Sequence, residues 1–421
     1  MNSRRKFLKS ALTGFAGATL LPQISQASTA SNTLNEKLIS DDNSEAYWNM
    51  VKNQFPFTDG LYYFNNGSLG PSPTMVRSAT NDYRKILDEF PSKYMWGGWN
   101  DEKETVRKQV ADLLKTSEEE IAIIHNTTEG MNLIARSFDL KAGDEIILAD
   151  HEHTSGTIPW QVWQETKGIK IVKPILPIIP KSVDEIVEIY KKAITPKTKI
   201  ISMCHIVNTN GMTLPVKEVS ELAHSRGILV AVDGAQAAGM LDIDLHDMQC
   251  DFYTASSHKW LFSPKGVGIF YARKESQHHL KPLIVCNGHT DKTIRRLENY
   301  NTRNLPEVLG LGAALQFNQL IGSEKIEART MELKNYFRAK FEGNQKYKLK
   351  TPASDQLSGA IQTLEVVGKD VKGVQDSLFE KYRIDTRPMS TFGLNGLRIS
   401  LAIYNTKADV DYLANAIETI S

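Results

Sequence analysis

The stretch Ile228-Leu229-Val230-Ala231-Val232-Asp233-Gly234-Ala235-Gln236 is a short apolar run, rich in β-branched residues, closed by a carboxylate and a glycine. Its length and composition predict a strand of a parallel sheet covered on both faces. Asp233 then stands at the strand's carboxyl end, where α/β proteins place their ligands. About 25 residues later the chain reads Ala255-Ser256-Ser257-His258-Lys259-Trp260. A carboxylate that keeps a pyridine nitrogen protonated, and a lysine amine that forms a Schiff base with an aldehyde, are the protein groups that pyridoxal 5′-phosphate requires. Asp233 and Lys259 together read as a site for that cofactor. A lysine after Ser-Ser-His is by itself more often a solvated loop residue, so the reading rests on what accompanies it.

Working outward, Val216 to Arg226 predicts a helix leading into the Asp233 strand, and Ile269 to Tyr271 a further strand after Gly266 and Gly268. From Val76 onward, amphipathic runs (Val106 to Leu114, Met131 to Phe138) alternate with short apolar ones (Ile121 to Ile124, Ile146 to Ala149, Ile200 to Met203). That alternation implies an α/β fold with a mostly parallel sheet flanked by helices. Beyond Pro306 a helix, Val308 to Ile321, leads to a smaller α+β unit that ends in a strand, Leu397 to Ala402, and a helix from Ala408. The expected division is a signal at 1–27, an N-terminal segment at 28–75 ordered from about Trp48, a large cofactor-binding domain at 76–305 and a small C-terminal domain at 306–421.

With 421 residues, 41% of them hydrophobic, the chain can bury a large core. Arg4, Arg5, Lys6 and Lys9 are the only charged residues among the first 27, leaving 46 basic against 49 acidic residues in the rest. That balance gives no reason to expect nucleic acid as a partner. Ser3-Arg4-Arg5-Lys6-Phe7-Leu8-Lys9, the apolar run Ala11 to Leu21 and Ser25-Gln26-Ala27 read as a twin-arginine export signal cleaved after Ala27. The apolar run is too short to span a bilayer. The twin-arginine translocon carries folded proteins, so an enzyme can cross into the periplasm with its cofactor in place. Cys204, Cys250 and Cys286 show no spacing that suggests a disulfide framework or a metal site and read as small core residues.

Asn126-Thr127-Thr128-Glu129-Gly130 precedes an amphipathic run. Thr127 and Thr128 are therefore either a phosphate cradle at a helix N-terminus or an ordinary cap. His153 follows the strand Glu145 to Ala149, where an imidazole can stack on a cofactor ring and exchange protons near it. A lone histidine is more often a satisfied polar residue, and His151 competes for the role. Asn208 and Gln236 are candidate donors to the cofactor's phenolic oxygen.

In this ordered set the chain resembles the class V aminotransferase family of fold type I pyridoxal phosphate enzymes, over about Tyr62 to Asn405. The pieces are Asn126 to Asn132, Glu152 to Trp160, His205 to Asn208, Asp233 to Gln236, Ser256 to Lys259, Asn301 to Asn304 and Leu397 to Asn405. The resemblance implies that Lys259 holds the cofactor and moves the substrate's α-proton, Asp233 pairs with the pyridine nitrogen, and His153 stacks on the ring. It implies phosphate contacts from Thr127, Thr128, Ser256 and His258, with Thr302 reaching in from the second subunit of a homodimer. It gives Arg398 the substrate α-carboxylate, a task suited to a bidentate donor, against the alternative of a surface salt bridge.

Desulfurases of the family carry a nucleophilic cysteine ahead of this arginine, whereas Tyr382 to Asn395 contains none. The chain looks closer to the isopenicillin N epimerase-like branch, which includes exported enzymes that tailor peptide siderophores. The expected activity is chemistry at the α-carbon of a free or peptide-linked amino acid: transamination, epimerisation or oxidative tailoring. A lyase cleaving C–S or C–Se bonds without an enzyme cysteine, and a non-catalytic binding protein, are the alternatives. Substrate choice is expected in loops around Asn65 to Leu69, including Asn66, Lys93 to Trp99 and Cys286 to Arg296. No metal site is expected.

Overall fold

The computed structural model describes residues 34–421, so the export signal expected at 1–27 lies outside the described residues. Thirteen strands, here β1 to β13, form three sheets among these residues. The largest contains β2 (Ile121–Ile124), β3 (Glu145–Leu148), β4 (Lys170–Val172), β5 (Thr198–Cys204), β6 (Leu229–Asp233), β7 (Phe252–Ala255) and β8 (Gly268–Ala272). Its order is β2-β8-β7-β6-β5-β3-β4. Only β8 runs against its neighbours. The short link from β7 has no crossover helix to carry the chain back, so β8 must return antiparallel.

Alternate residues of each strand enter opposite cores. Ile123, Ile201, Val230, Val232 and Tyr253 pack into one face. Ala122, Ile124, Ile200, Ala231 and Phe252 pack into the other. This two-sided burial is what the continuous apolar runs require, and each fully buried large side chain contributes roughly 1.5–3 kcal/mol. The predicted strand at Ile121 to Ile124 and helices from Val216 and Val308 are present, the helices as Val216–His224 and Leu305–Ile321.

The second unit is a four-stranded antiparallel sheet, β12-β13-β10-β9, made from β9 (Tyr347–Leu349), β10 (Ile361–Val366), β12 (Arg387–Met389) and β13 (Gly396–Ser400). Helices Ser323–Ala339, Val371–Tyr382 and Lys407–Ile420 complete its separate core around Leu333, Leu364, Leu378 and Leu413. Helix Leu305–Ile321, placed by the sequence reading at the head of this unit, packs instead into the large core on helices Thr74–Glu89 and Asn100–Leu113.

The N-terminal segment stitches the two units together. Trp48, Val51 and Phe55 are buried in the large core and Phe64 in the small one. β1 (Tyr62–Tyr63) pairs in parallel with β11 (Ile384–Asp385). The chain then turns over Lys259: Gly70 N donates to His258 O at 3.0 Å, and a Cβ on Gly70 would lie 2.0 Å from Lys259 O. Only glycine permits that approach.

Candidate active site

The parallel strands bring their carboxyl ends to one edge of the large sheet, and the candidate residues follow from those ends. Thr127 comes after β2, His153 after β3, Asp233 ends β6 and Lys259 comes after β7. They line a cavity of about 260 Å³ with Thr128, Asn208, Gln236, Ser256 and His258. Asn126, Ser155 and Cys204 line it too, as does Ser68, which belongs to the loop Asn65 to Leu69 expected to choose the substrate.

Burial holds the Lys259 amine at about 8; the Asp233 carboxylate opposes that shift, and Arg398 and Arg387 add to it. A lysine so placed has an accessible free amine near neutral pH, as a nucleophile or proton carrier needs. Asp233 is buried, and its Oδ1 accepts from Ala235 N at 3.0 Å. His153 caps helix Thr154–Lys167, its Nδ1 accepting from Ser155 N at 3.2 Å. Burial at the cavity rim and the cations Lys259, Arg387 and Arg398 hold its ring below the usual range, although Asp233 works the other way.

The residue before Thr127, and not Thr127, caps the helix. Asn126 is the cap, its Oδ1 accepting from Glu129 N at 3.0 Å. Thr127 N and Thr127 Oγ1 instead meet Ser256 Oγ at 3.0 and 2.9 Å. An amide and two hydroxyls thus converge at a helix N-terminus, an arrangement that favours an anion. Thr128 Oγ1 donates to Ser155 Oγ at 3.2 Å. His258 Nδ1 is buried without a partner among the described residues, and burial lowers its ring to about 4.

Several side chains have duties that the sequence does not show. Gln236 donates through Nε2 to Gly67 O and accepts through Oε1 from Trp260 Nε1, both at 2.8 Å, leaving one amide hydrogen toward the cavity. Asn66 does not line the cavity. Its side chain donates to Lys259 O at 3.4 Å and accepts from Tyr404 at 3.2 Å, which secures the loop above the lysine. Thr302 is exposed and lies outside this chain's own cavity.

Arg398, on β13, is buried rather than in a surface salt bridge. Its Nη1 donates to Asn208 O at 3.0 Å, and Nη2 to Asn65 Oδ1 at 3.1 Å and Ser68 Oγ at 2.6 Å. Its Nε has no partner among the described residues. Burial, then the neighbouring Arg387, lowers the guanidinium to about 9.

Glu152 is a second buried acid behind the cavity, its Oε1 accepting from Cys204 N at 2.9 Å. Burial raises its carboxyl to about 8, so it is largely protonated at neutral pH. Cys204 is buried beside it, and burial drives its thiol well above the ordinary range. Cys204 and Cys250 are small core residues as expected. Cys286 is not: it sits half-buried in a loop, its Sγ donating to Asn299 O at 2.9 Å.

The class-V aminotransferase family matches residues 95–413. The chain belongs to that family. It is 31% identical to an isopenicillin N epimerase from Amycolatopsis lactamdurans over 89% of this chain and 98% of the relative. To a probable cysteine desulfurase from Halalkalibacterium halodurans it is 29% identical, over 87% and 96%. A cysteine desulfurase structure from Escherichia coli superposes with a TM-score of 0.78 at 24% identity, covering 90% of this chain and 98% of that one. Another structure with this fold, TM-score 0.78 and 22% identity over 87% and 98%, has glycine covalently linked to its pyridoxal phosphate.

The protein is accordingly an enzyme with the fold type I architecture, and its cofactor is pyridoxal 5′-phosphate. The residues fit that group on their own chemistry. They provide one buried amine with a carboxylate close to it, an anion cradle at Thr127 and Ser256, and an unpaired buried ring nitrogen at His258.

Proposed function

We propose that the protein is an exported enzyme that shifts the α-proton of an amino acid, free or peptide-linked, with epimerisation or transamination as the outcome. When bound, pyridoxal phosphate supplies an electron sink for the α-carbon. The chain's own residues divide the remaining work. Lys259 Nζ removes and returns the α-proton, because its amine is held near neutral pH. With the cofactor bound, Asp233 would keep a proton on the pyridine nitrogen, His153 would pack against the ring, and Thr127, Thr128, Ser256 and His258 would hold the phosphate. Arg398 takes the α-carboxylate with its planar fork.

The observation that carries this reading is Lys259 within the electrostatic reach of Asp233 and Arg398, where Cys204, the only thiol among the described residues that line the cavity, is buried and protonated. Persulfide chemistry needs a thiolate that can reach the substrate. The test is loss of the α-hydrogen signal when the holoenzyme is incubated with amino acids and amino-terminal dipeptides in D2O. Exchange that disappears in Lys259→Ala supports the reading. Release of sulfide, pyruvate or ammonia from cysteine or cystine, without exchange elsewhere, replaces it with C–S cleavage.

Export and assembly belong to the same proposal. Arg4 and Arg5 in the leading segment support transport by the twin-arginine translocon, and mature protein beginning at Ser28 in a periplasmic fraction is the expected finding. No helix among the described residues is long and apolar enough to cross a membrane. Exposure of Thr302 away from its own cavity supports a homodimer in which it serves the partner's site.

A further inference from the structure

Arg387 and Arg398 occupy directly opposed positions on the antiparallel strands β12 and β13. Like charges so placed repel, and no carboxylate among the described residues forms an ion pair with either. The fold does neutralise other buried arginines. Arg107 is held by Glu298 and Glu104, and Arg329 by Glu45 and Glu332. Among the described residues Arg398 instead donates only to neutral oxygens, and the side chain to which Arg387 donates is Ser68, Nη1 to Ser68 Oγ at 3.3 Å. Arg398 Nη2 donates to the same hydroxyl at 2.6 Å, so the two guanidinium groups converge on one atom of the cavity wall.

We propose that the substrate carries two anionic groups, and that Arg387 binds the second. The inference rests on the reading above in which Arg398 takes the α-carboxylate. The two arginines differ in depth: Arg398 is fully buried and Arg387 exposed. A single carboxylate bound by the deeper fork leaves the donors of the outer one free for a second anion, beside the cavity-lining Ser68 that both arginines touch. The guanidinium pair itself leaves room for that second anion: neither group is in an ion pair among the described residues, and the carboxylate that Arg398 approaches through hydrogen bonds, Asp385, is reached only by way of the Asn65 amide. An acidic amino acid, or a unit ending in a side-chain carboxylate, has the matching chemistry.

The experiment is a spectroscopic titration of the holoenzyme, following the cofactor's absorption band as probes are added. The probes are glutamate and 2-aminoadipate, each as both enantiomers, against the neutral glutamine and norleucine. The wild type is expected to bind the dicarboxylates about tenfold more tightly than the neutral probes, the low end for one charge-assisted hydrogen bond. In Arg387→Gln that preference falls to about one, and Arg387→Lys restores part of it. Equal affinity for both probe classes in the wild type overturns the inference but leaves the α-carbon reading intact. So does an Arg387→Gln variant that weakens both classes by the same factor, since Arg387 would then share the α-carboxylate. A band unmoved by every probe, together with no α-hydrogen exchange in free amino acids or amino-terminal dipeptides, overturns both.

Discussion

Replacing Glu152 with glutamine separates the charge of that side chain from its shape. The buried carboxyl titrates at about 8 in the fold, lifted chiefly by burial and secondarily by Asp233 and Asp150, against an ordinary value of 4.5. Between pH 4.5 and 8 the unfolded chain therefore gives up a proton that the folded chain keeps. The stability associated with this proton is fully present below pH 4.5 and is lost as pH rises to 8, by about 1.4 kcal/mol per pH unit. The loss reaches roughly 3 kcal/mol at pH 7 and about 4 kcal/mol at pH 8, where the folded group is itself half ionised. Glutamine has no proton to lose and keeps an oxygen to accept from Cys204 N. Glu152→Gln should thus gain about 2 to 3 kcal/mol over the wild type between pH 5 and pH 7. Urea unfolding of both holoenzymes at pH 5, 6, 7 and 8 reads that difference, and the groups common to both proteins cancel. A stability difference that stays constant with pH refutes the reasoning. One that moves the other way shows Glu152 ionised and paired in the fold.

Three shorter predictions come from the same cavity. Apoenzyme should take up pyridoxal phosphate faster as pH rises through about 8, where the Lys259 amine loses its proton, and the midpoint should move lower in Asp233→Asn, which removes the charge that raises it; stopped-flow absorbance reads both. Gly234→Ala should destabilise the protein by several kcal/mol and empty the site, since its Cβ would stand 2.0 Å from the buried Tyr253 ring; a thermal melt with cofactor quantification checks this. Maleimide at neutral pH should label Cys286 well before Cys204 or Cys250 in the folded enzyme, and mass spectrometry of the digested protein reports the order. Labelling of Cys204 first would reopen a nucleophilic role for that thiol.

Asp233 and Lys259 were legible because each is tied to a local pattern: an apolar run that must become a buried strand, and the loop that follows the next one. Thr127 was legible as a helix start, but its function depended on Asn126 taking the cap and Ser256 approaching from 129 residues away. Gln236 shows the limit in the other direction. Its place beside Asp233 marked it as a cofactor ligand, yet its amide is largely engaged with Gly67 and Trp260, because the loop over Lys259 must be held down. Ser68 was legible only as one residue of the loop Asn65 to Leu69 expected to choose the substrate; its own part comes from meeting Arg398, 330 residues on. The charge of the cavity is of the same kind. Glu152 is one acid among 49 acidic residues and Arg387 one base among 50 until burial keeps a proton on the first and strand pairing sets the second against Arg398. Local sequence patterns can therefore point to the cofactor, whereas the meeting of Arg387 and Arg398 at Ser68 exists only once the small sheet is packed against the loop that carries that serine.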